Sequence, residues 1–259
     1  MQRTERSGWP LLAPSFPRAC VLLALAAVAG AAQAQESNFG LTVGTKVWVA
    51  EWSTWFLDEN TNNDEIINQK SSKAKAIVIP QLGVRYGDFI GSVSGAITSK
   101  HEFTQPGVTA DFKRREMDVN FGYSITPGLT ASLGYKKFDQ IAPSGEKVYQ
   151  VSGPTLGVSA ASALTNGFSV YGALGIGVLK IESAPANVSA DYSLSEVGLG
   201  YSLPLGGFVK SVNFSAGYRT QVIKARGITL RDTTGTFASV TQDARDVTQG
   251  FTLGAVLAF

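Results

Sequence analysis

From residue 35 to the C-terminus no apolar run reaches the roughly 20 residues a membrane helix needs. Yet apolar and polar residues alternate through about ten segments of the length a tilted membrane strand requires. Over 112–125, Met117, Val119, Phe121, Tyr123 and Ile125 share one parity, and Arg114, Glu116, Asp118, Asn120, Gly122 and Ser124 the other. Over 209–223, Val212, Phe214, Ala216 and Tyr218 oppose Ser211, Asn213, Ser215, Gly217 and Arg219. Mid-strand charges keep to the polar parity, as they must if the apolar face meets lipid, where Lys or Arg costs about 2–4 kcal/mol at the midplane. Every backbone N–H and C=O in hydrocarbon must be paired, so a sheet in that solvent has to close on itself. The expected fold is all-β: a closed antiparallel transmembrane β-barrel.

Strands are expected near 39–53, 74–86, 89–101, 112–125, 128–139, 148–162, 167–182, 190–203, 209–223 and 246–259. Their connections alternate. Gly87-Asp88, Thr126-Pro127, Thr165-Asn166 and Pro204 to Phe208 are tight, while 55–73, 102–111, 140–147, 183–189 and 224–245 are longer and mostly polar. A single-chain membrane barrel sorts its turns this way, short inside and long outside; a soluble sandwich has no reason to. About ten strands are expected, with eight or twelve as alternatives because Ile228 to Val240 has room for another hairpin, and the first strand should pair with the last. Pro80-Gln81-Leu82-Gly83-Val84 recurs as Pro154-Thr155-Leu156-Gly157-Val158, and Gly-Tyr pairs recur in the same order, a hint of duplication. Proline donates no ladder hydrogen bond, so a bulge is expected near Pro80 and near Pro154.

Arg3, Arg6 and Arg18 precede the apolar run Val21 to Ala29, which closes on Ala32-Gln33-Ala34. That order is a secretory signal peptide over 1–34, leaving 35–259 as one barrel domain. The sole cysteine, Cys20, falls in the signal, so the exported chain would carry no disulfide or thiolate chemistry. The whole chain has 22 basic and 20 acidic residues; losing three Arg and one Glu leaves 19 of each. No polybasic run remains of the kind nucleic-acid binding requires.

The chain ends Thr252-Leu253-Gly254-Ala255-Val256-Leu257-Ala258-Phe259. Thr252, Gly254, Leu257 and Phe259 resemble the C-terminal signature of small bacterial outer-membrane β-barrels of the porin-like or opacity type. The resemblance implies a Gram-negative outer-membrane location, recognition of those four residues by the barrel-assembly machinery, and lipid and lipopolysaccharide as surroundings. It does not fix an activity.

His101 is the only histidine. Omptin-type proteases resemble this chain in size and strand number but carry Asp-x-His, which is absent here. Barrel-type lipid A deacylases use His-x-Ser, whereas Glu102 and Phe103 follow His101. A lone histidine makes a poor catalytic constellation, so a solvated rim position is expected, with no catalytic residue and no cofactor. The loop Asp58 to Glu65 is rich in oxygen ligands, but Asn63 and Gln69 stand where a calcium loop wants Gly and Glu, so no metal site is assigned. Trp48 and Trp52 share the parity of Lys46 and are candidates for the lumen wall.

Alternation places Lys46, Arg85, Arg114, Glu116, Asp118, Lys136, Glu196 and Arg219 inside the barrel, with Ala173, Gly175 and Gly177 leaving room beside them. Five basic against three acidic residues would favour anions. The leading functional expectation is a non-enzymatic, porin-like passage for small polar solutes. The alternatives are a closed barrel acting through its outer loops in adhesion or envelope stabilisation and, last, a rim hydrolase built on His101.

Overall fold

The structure is a computed structural model that describes residues 39–58, 65–96, 98–105, 108–182, 187–231 and 237–259. The signal segment expected over 1–34 and the acidic stretch 59–64 lie outside these residues. Among the described residues twelve strands follow one another: β1 (Phe39–Asp58), β2 (Glu65–Ser71), β3 (Lys75–Tyr86), β4 (Phe89–Ser94), β5 (Ser99–Gln105), β6 (Val108–Thr126), β7 (Leu129–Ile141), β8 (Lys147–Ala163), β9 (Phe168–Glu182), β10 (Asn187–Pro204), β11 (Ser211–Arg231) and β12 (Phe237–Ala258). They build ten staves. β2 and β3 pair with the upper and lower parts of β1, and β4 and β5 pair with the lower and upper parts of β6. Each remaining strand is a stave of its own, and all pairings are antiparallel.

The first and last staves close the sheet. β1 pairs with β12 from Thr42↔Ala258 to Asp58↔Gln242, and Phe259 N–H donates to the Leu41 carbonyl at 2.8 Å. No backbone edge is left in lipid, as the medium demands. Thr252, buried, takes inward parity with Gly254, while Leu257 and Phe259 share outward parity with the exposed Phe251 and Leu253.

At the lower end the turns are as tight as expected. Pro127 and Gly128 connect β6 to β7, and Gly128 has φ 89°, which suits glycine at the third position of a type II turn. Above the turns runs an outward apolar belt: Met117, Val119, Phe121, Tyr123 and Ile125 on β6, Leu133 and Tyr135 on β7, Leu174, Ile176 and Val178 on β9, Phe251 and Leu253 on β12, all exposed. The eight steps from Ile125 to Met117 rise about 27 Å along the strand, hence roughly 20 Å along a barrel axis tilted by about 40°. The repeated Gly-Tyr pairs put Tyr123, Tyr135, Tyr201 and Tyr218 on this outer surface.

Above Met117 the outward residues of β6 become Arg115, Lys113 and Asp111, so the upper part of the barrel stands clear of hydrocarbon. Its interior is packed. Trp48, Ala50, Ile77, Ile79 and Ala96 form one buried cluster, and Phe138, Val151, Leu179, Ala190, Tyr192, Ile223 and Ala225 a second. The barrel is greasy outside in its lower half and greasy inside in its upper half.

Three expectations change. The register runs unbroken through Thr45↔Pro80 and Tyr135↔Pro154, so neither proline sits in a bulge. The Pro80 carbonyl accepts from Gly95 N–H at 3.2 Å, so its missing donor faces the gap between β4 and β5, where no ladder bond is lost. At Pro154 the ladder to β9 skips Gly153 and Pro154 without shifting. The apolar parity of this strand changes because Val151 belongs to the inner core above and Leu156 to the lipid belt below. The strands run into all five of the expected long connections, as where β7 reaches Ile141 and β8 starts at Lys147, because they continue beyond the membrane. Where Ile228 to Val240 had room for another hairpin, its described residues belong to β11, up to Arg231, and to β12, from Phe237, with Arg231 opposite Phe237; residues 232–236 lie outside the described ones.

Candidate functional site

The polar parity of the middle strands meets inside the barrel at the upper edge of the apolar belt. Arg114 of β6 reaches across the lumen to β12: Nη2 donates to Asp246 Oδ1 at 3.0 Å and Nη1 to Thr248 Oγ1 at 3.0 Å. Its guanidinium lies between the rings of Trp52 and Phe138, 4.6 Å and 4.3 Å from their centroids. Desolvated contacts of that kind are worth about 2 kcal/mol each. Trp52 Nε1 donates to Asp246 Oδ2 at 2.6 Å, so one carboxylate holds both the cation and the ring stacked on it.

Beside this bridge Lys136 of β7 contacts Glu116 and Asp118, each at 3.1 Å, and lies 5.4 Å from the Tyr192 ring centroid on β10. Lys46 of β1 spans the lumen to Glu196 of β10 at 2.6 Å. Arg219 of β11 stacks over Trp48, 4.9 Å from its centroid, with Nη1 3.9 Å from Glu196. Tyr171 adds a hydroxyl donor to Glu196 at 3.0 Å. Trp48, Trp52, Arg114, Lys136 and Phe138 are each no more than 2 % exposed. Charges confined this tightly must be paired, since an uncompensated buried ion costs several kcal/mol.

Seven of the eight lumen candidates meet in this network. Arg85 does not: it lies exposed near the lower end of β3, its Nε donating to the Gly87 carbonyl at 2.9 Å, because its strand ends there and water is at hand. Asp246, not among the sequence candidates, takes its place. Four cations (Lys46, Arg114, Lys136, Arg219) therefore face four carboxylates (Glu116, Asp118, Glu196, Asp246), and the excess of positive charge inferred from sequence disappears. Carrying the inward parity of Thr248 and Thr252 two residues further back marks Asp246. Trp48 and Trp52 share the parity of Lys46 and take the lumen wall, whereas Phe138 gave no such signal, because an apolar side chain on the inward parity contradicts a wet lumen.

Below the network a cavity of about 330 Å³ occupies the lower half of the barrel. Asp118, Tyr192 and Arg219 line its top, Ser92, Asn120, Ser132, Thr155 and Ser159 its wall. Ala173 and Gly175 border it as expected, whereas Gly177 packs against the Pro154 and Thr155 backbone. The cavity is a polar vestibule ending against the ion pairs.

His101 is not the solvated rim residue expected from sequence: it is fully buried on β5. The outward residues of β5 are Lys100 and Glu102, so this segment lies outside the hydrocarbon. Ser99 Oγ is 3.1 Å from His101 Nε2, Ser72 Oγ is 3.4 Å from Nδ1, and the ring meets Trp52 edge-on at 5.3 Å. Burial, with Arg114 as the second cause, pushes the imidazole down to about 4. The ring is neutral at pH 7, and it is oriented by two hydroxyls and not by a carboxylate.

A family model described as the OmpA-like transmembrane domain matches residues 89–207, from β4 into the turn after β10. No curated protein matches the sequence. Among solved structures, the outer membrane protease OmpT from Escherichia coli is similar at 11% identity and a TM-score of 0.50, over 88% of this chain and 99% of that one. A Pseudomonas aeruginosa FadL homologue is similar at 7% identity and a TM-score of 0.37, over 86% and 90% of the two chains. The β domain of the Bordetella autotransporter BrkA is similar at 12% identity and a TM-score of 0.37, over 86% and 99%.

Proposed function

We propose that this chain, a small outer-membrane β-barrel with an OmpA-like segment, is a closed and non-enzymatic barrel of the Gram-negative outer membrane. It works through the part that stands above the lipid, as an adhesion or envelope-stabilising surface protein. The observation that carries this reading is the Arg114–Asp246 bridge across the lumen, walled by Trp52 and Phe138. A solute rising through the vestibule meets four cations and four carboxylates already satisfied by one another, above which the interior is an apolar core. A conducting path needs charged or polar groups free to meet a solute at its narrowest point; here the charged ones are held in ion pairs. The long upper staves give a rigid platform for the outer connections, and rigid scaffolds carrying variable loops are the usual way such surfaces recognise partners.

The porin-like alternative draws on the vestibule alone. Swelling of vesicles containing the refolded protein separates the two. Vesicles loaded with an impermeant polymer and diluted into isotonic solutions of small sugars or amino acids should swell no faster than protein-free vesicles. Swelling that falls with solute size over the range of small sugars would establish a diffusion pore and overturn the closed reading.

A further inference from the structure

Above the apolar belt, charges on the outer surface of the barrel are unevenly distributed. On the flank from β9 to β12, Lys180 pairs with Glu182 at 3.6 Å and Lys224 with the buried Asp243 of β12 at 3.2 Å, and Arg245, opposite Lys224, is the one outward cation there with no ion pair among the described residues. On the flank formed by β5, β6 and β7, Lys100, Lys113, Arg115 and Lys137 all take outward parity, and among the described residues none of the four is in an ion pair. Lys100 and Lys113 are directly opposite each other in the ladder, Arg115 follows two residues along, and Lys137 lies opposite Met117. The acids that might answer them are engaged elsewhere. Glu102 is held by Lys73 at 2.6 Å and Asp139, opposite Arg115, by Lys147 at 3.0 Å, which leaves Asp111 on the same face.

Like charges directly opposite on one face destabilise a strand pair unless a counterion sits between them. The height of the patch says what that counterion is. Met117 and Tyr135 are the last exposed apolar residues beneath it, so the four cations stand where acyl chains give way to headgroups. We propose that this patch holds the phosphate groups of lipid A in the outer leaflet. Two strand spacings, about 10 Å, separate its outer cations, wide enough for a phosphorylated disaccharide. Met117, Val119 and Tyr135 continue below as an apolar wall for the chains. The inference rests on the membrane placement of the barrel and not on whether its lumen is closed.

The test titrates bis-phosphorylated lipid A against the refolded full-length barrel in detergent micelles and counts bound lipid by native mass spectrometry. Each cation beside an anionic headgroup contributes roughly fivefold in affinity. The variant Lys100→Gln/Lys113→Gln/Arg115→Gln/Lys137→Gln should therefore bind at least about tenfold more weakly, and the double variant Lys113→Gln/Arg115→Gln at least about fivefold. Lys180→Gln/Lys224→Gln, on the other flank, should bind like the parent protein. Dephosphorylated lipid A should not distinguish the parent from the fourfold variant, and inorganic phosphate at equal concentration should not displace the lipid. Heat-modifiable migration on gels confirms that each variant is folded; if the fourfold variant is not, the double variant decides. Unchanged affinity after neutralising the patch, equal loss from the other flank, or equal binding of dephosphorylated lipid A would each overturn the proposal.

Discussion

Arg114→Met is expected to cost about 3–5 kcal/mol of folding stability, the usual penalty for removing one partner of a buried ion pair. Asp246 would keep Trp52 Nε1 but lose its cation, and Glu116 would be left with Lys136 alone. Trp52 and Phe138 would lose the guanidinium stacked between them. The loss comes mostly from stranded carboxylate, so the double variant Arg114→Met/Asp246→Leu should recover most of it, as buried ion pairs replaced by apolar residues of similar volume often do. Reversible urea unfolding from lipid vesicles reads both effects. A single-variant loss below about 1 kcal/mol is the scale of an exposed pair and would mean that Arg114 is hydrated in the folded protein.

Gly250→Val should prevent the barrel from closing. Gly250 lies on β12 opposite Ala50 of β1 on one side and Arg219 of β11 on the other. A Cβ there would run into the Val49 carbonyl oxygen and the Ala50 Cα. Both obstacles are backbone of the closing strand, so the neighbour cannot swing aside as a side chain would. Ordinary overpacking costs about 1–3 kcal/mol; here relief requires opening the β1–β12 seam, which exposes unpaired backbone to lipid at several kcal/mol per group. The compact, heat-modifiable band of the folded barrel should be absent after refolding. Gly91→Val is the matched control, since nothing lies within 4 Å of its added Cβ, and it should fold within about 0.5 kcal/mol of the parent protein.

The lower half of the molecule was legible in the sequence because one physical demand governs it. Lipid outside and polar groups inside impose a period of two, and residues such as Val119 and Phe121 announce their face without knowledge of the rest. The ten staves, the tight turns and the β1–β12 closure all follow from that demand. The upper half obeys a different rule. Once the strands leave the hydrocarbon, Phe138, Val151, Leu179 and Ile223 turn inward to make a core, so the same alternation carries the opposite meaning. Reading it as a single wet lumen hid Phe138 and Tyr192 as partners of the cations, although Trp48 and Trp52 share the inward parity of Lys46. The ends of β2 at Ser71 and of β4 at Ser94 leave no sequence mark that separates them from ordinary strand, and the gap beside Pro80 is invisible in the sequence, so the proline reads as a bulge. His101 was misjudged for the same reason: a lone histidine near a strand end reads as solvated unless Trp52, Ser72 and Ser99 are known to surround it.

Single-channel recording of the refolded barrel in a planar bilayer tests the closed lumen most directly. The parent protein should give a flat trace at moderate voltage, and Arg114→Ala/Asp246→Ala, which removes the crossing bridge together with its counter-charge, should give discrete steps. Steady steps from the parent protein, as large as those of the double variant, would show that ions pass the Arg114–Asp246 level unhindered and would contradict the closed barrel.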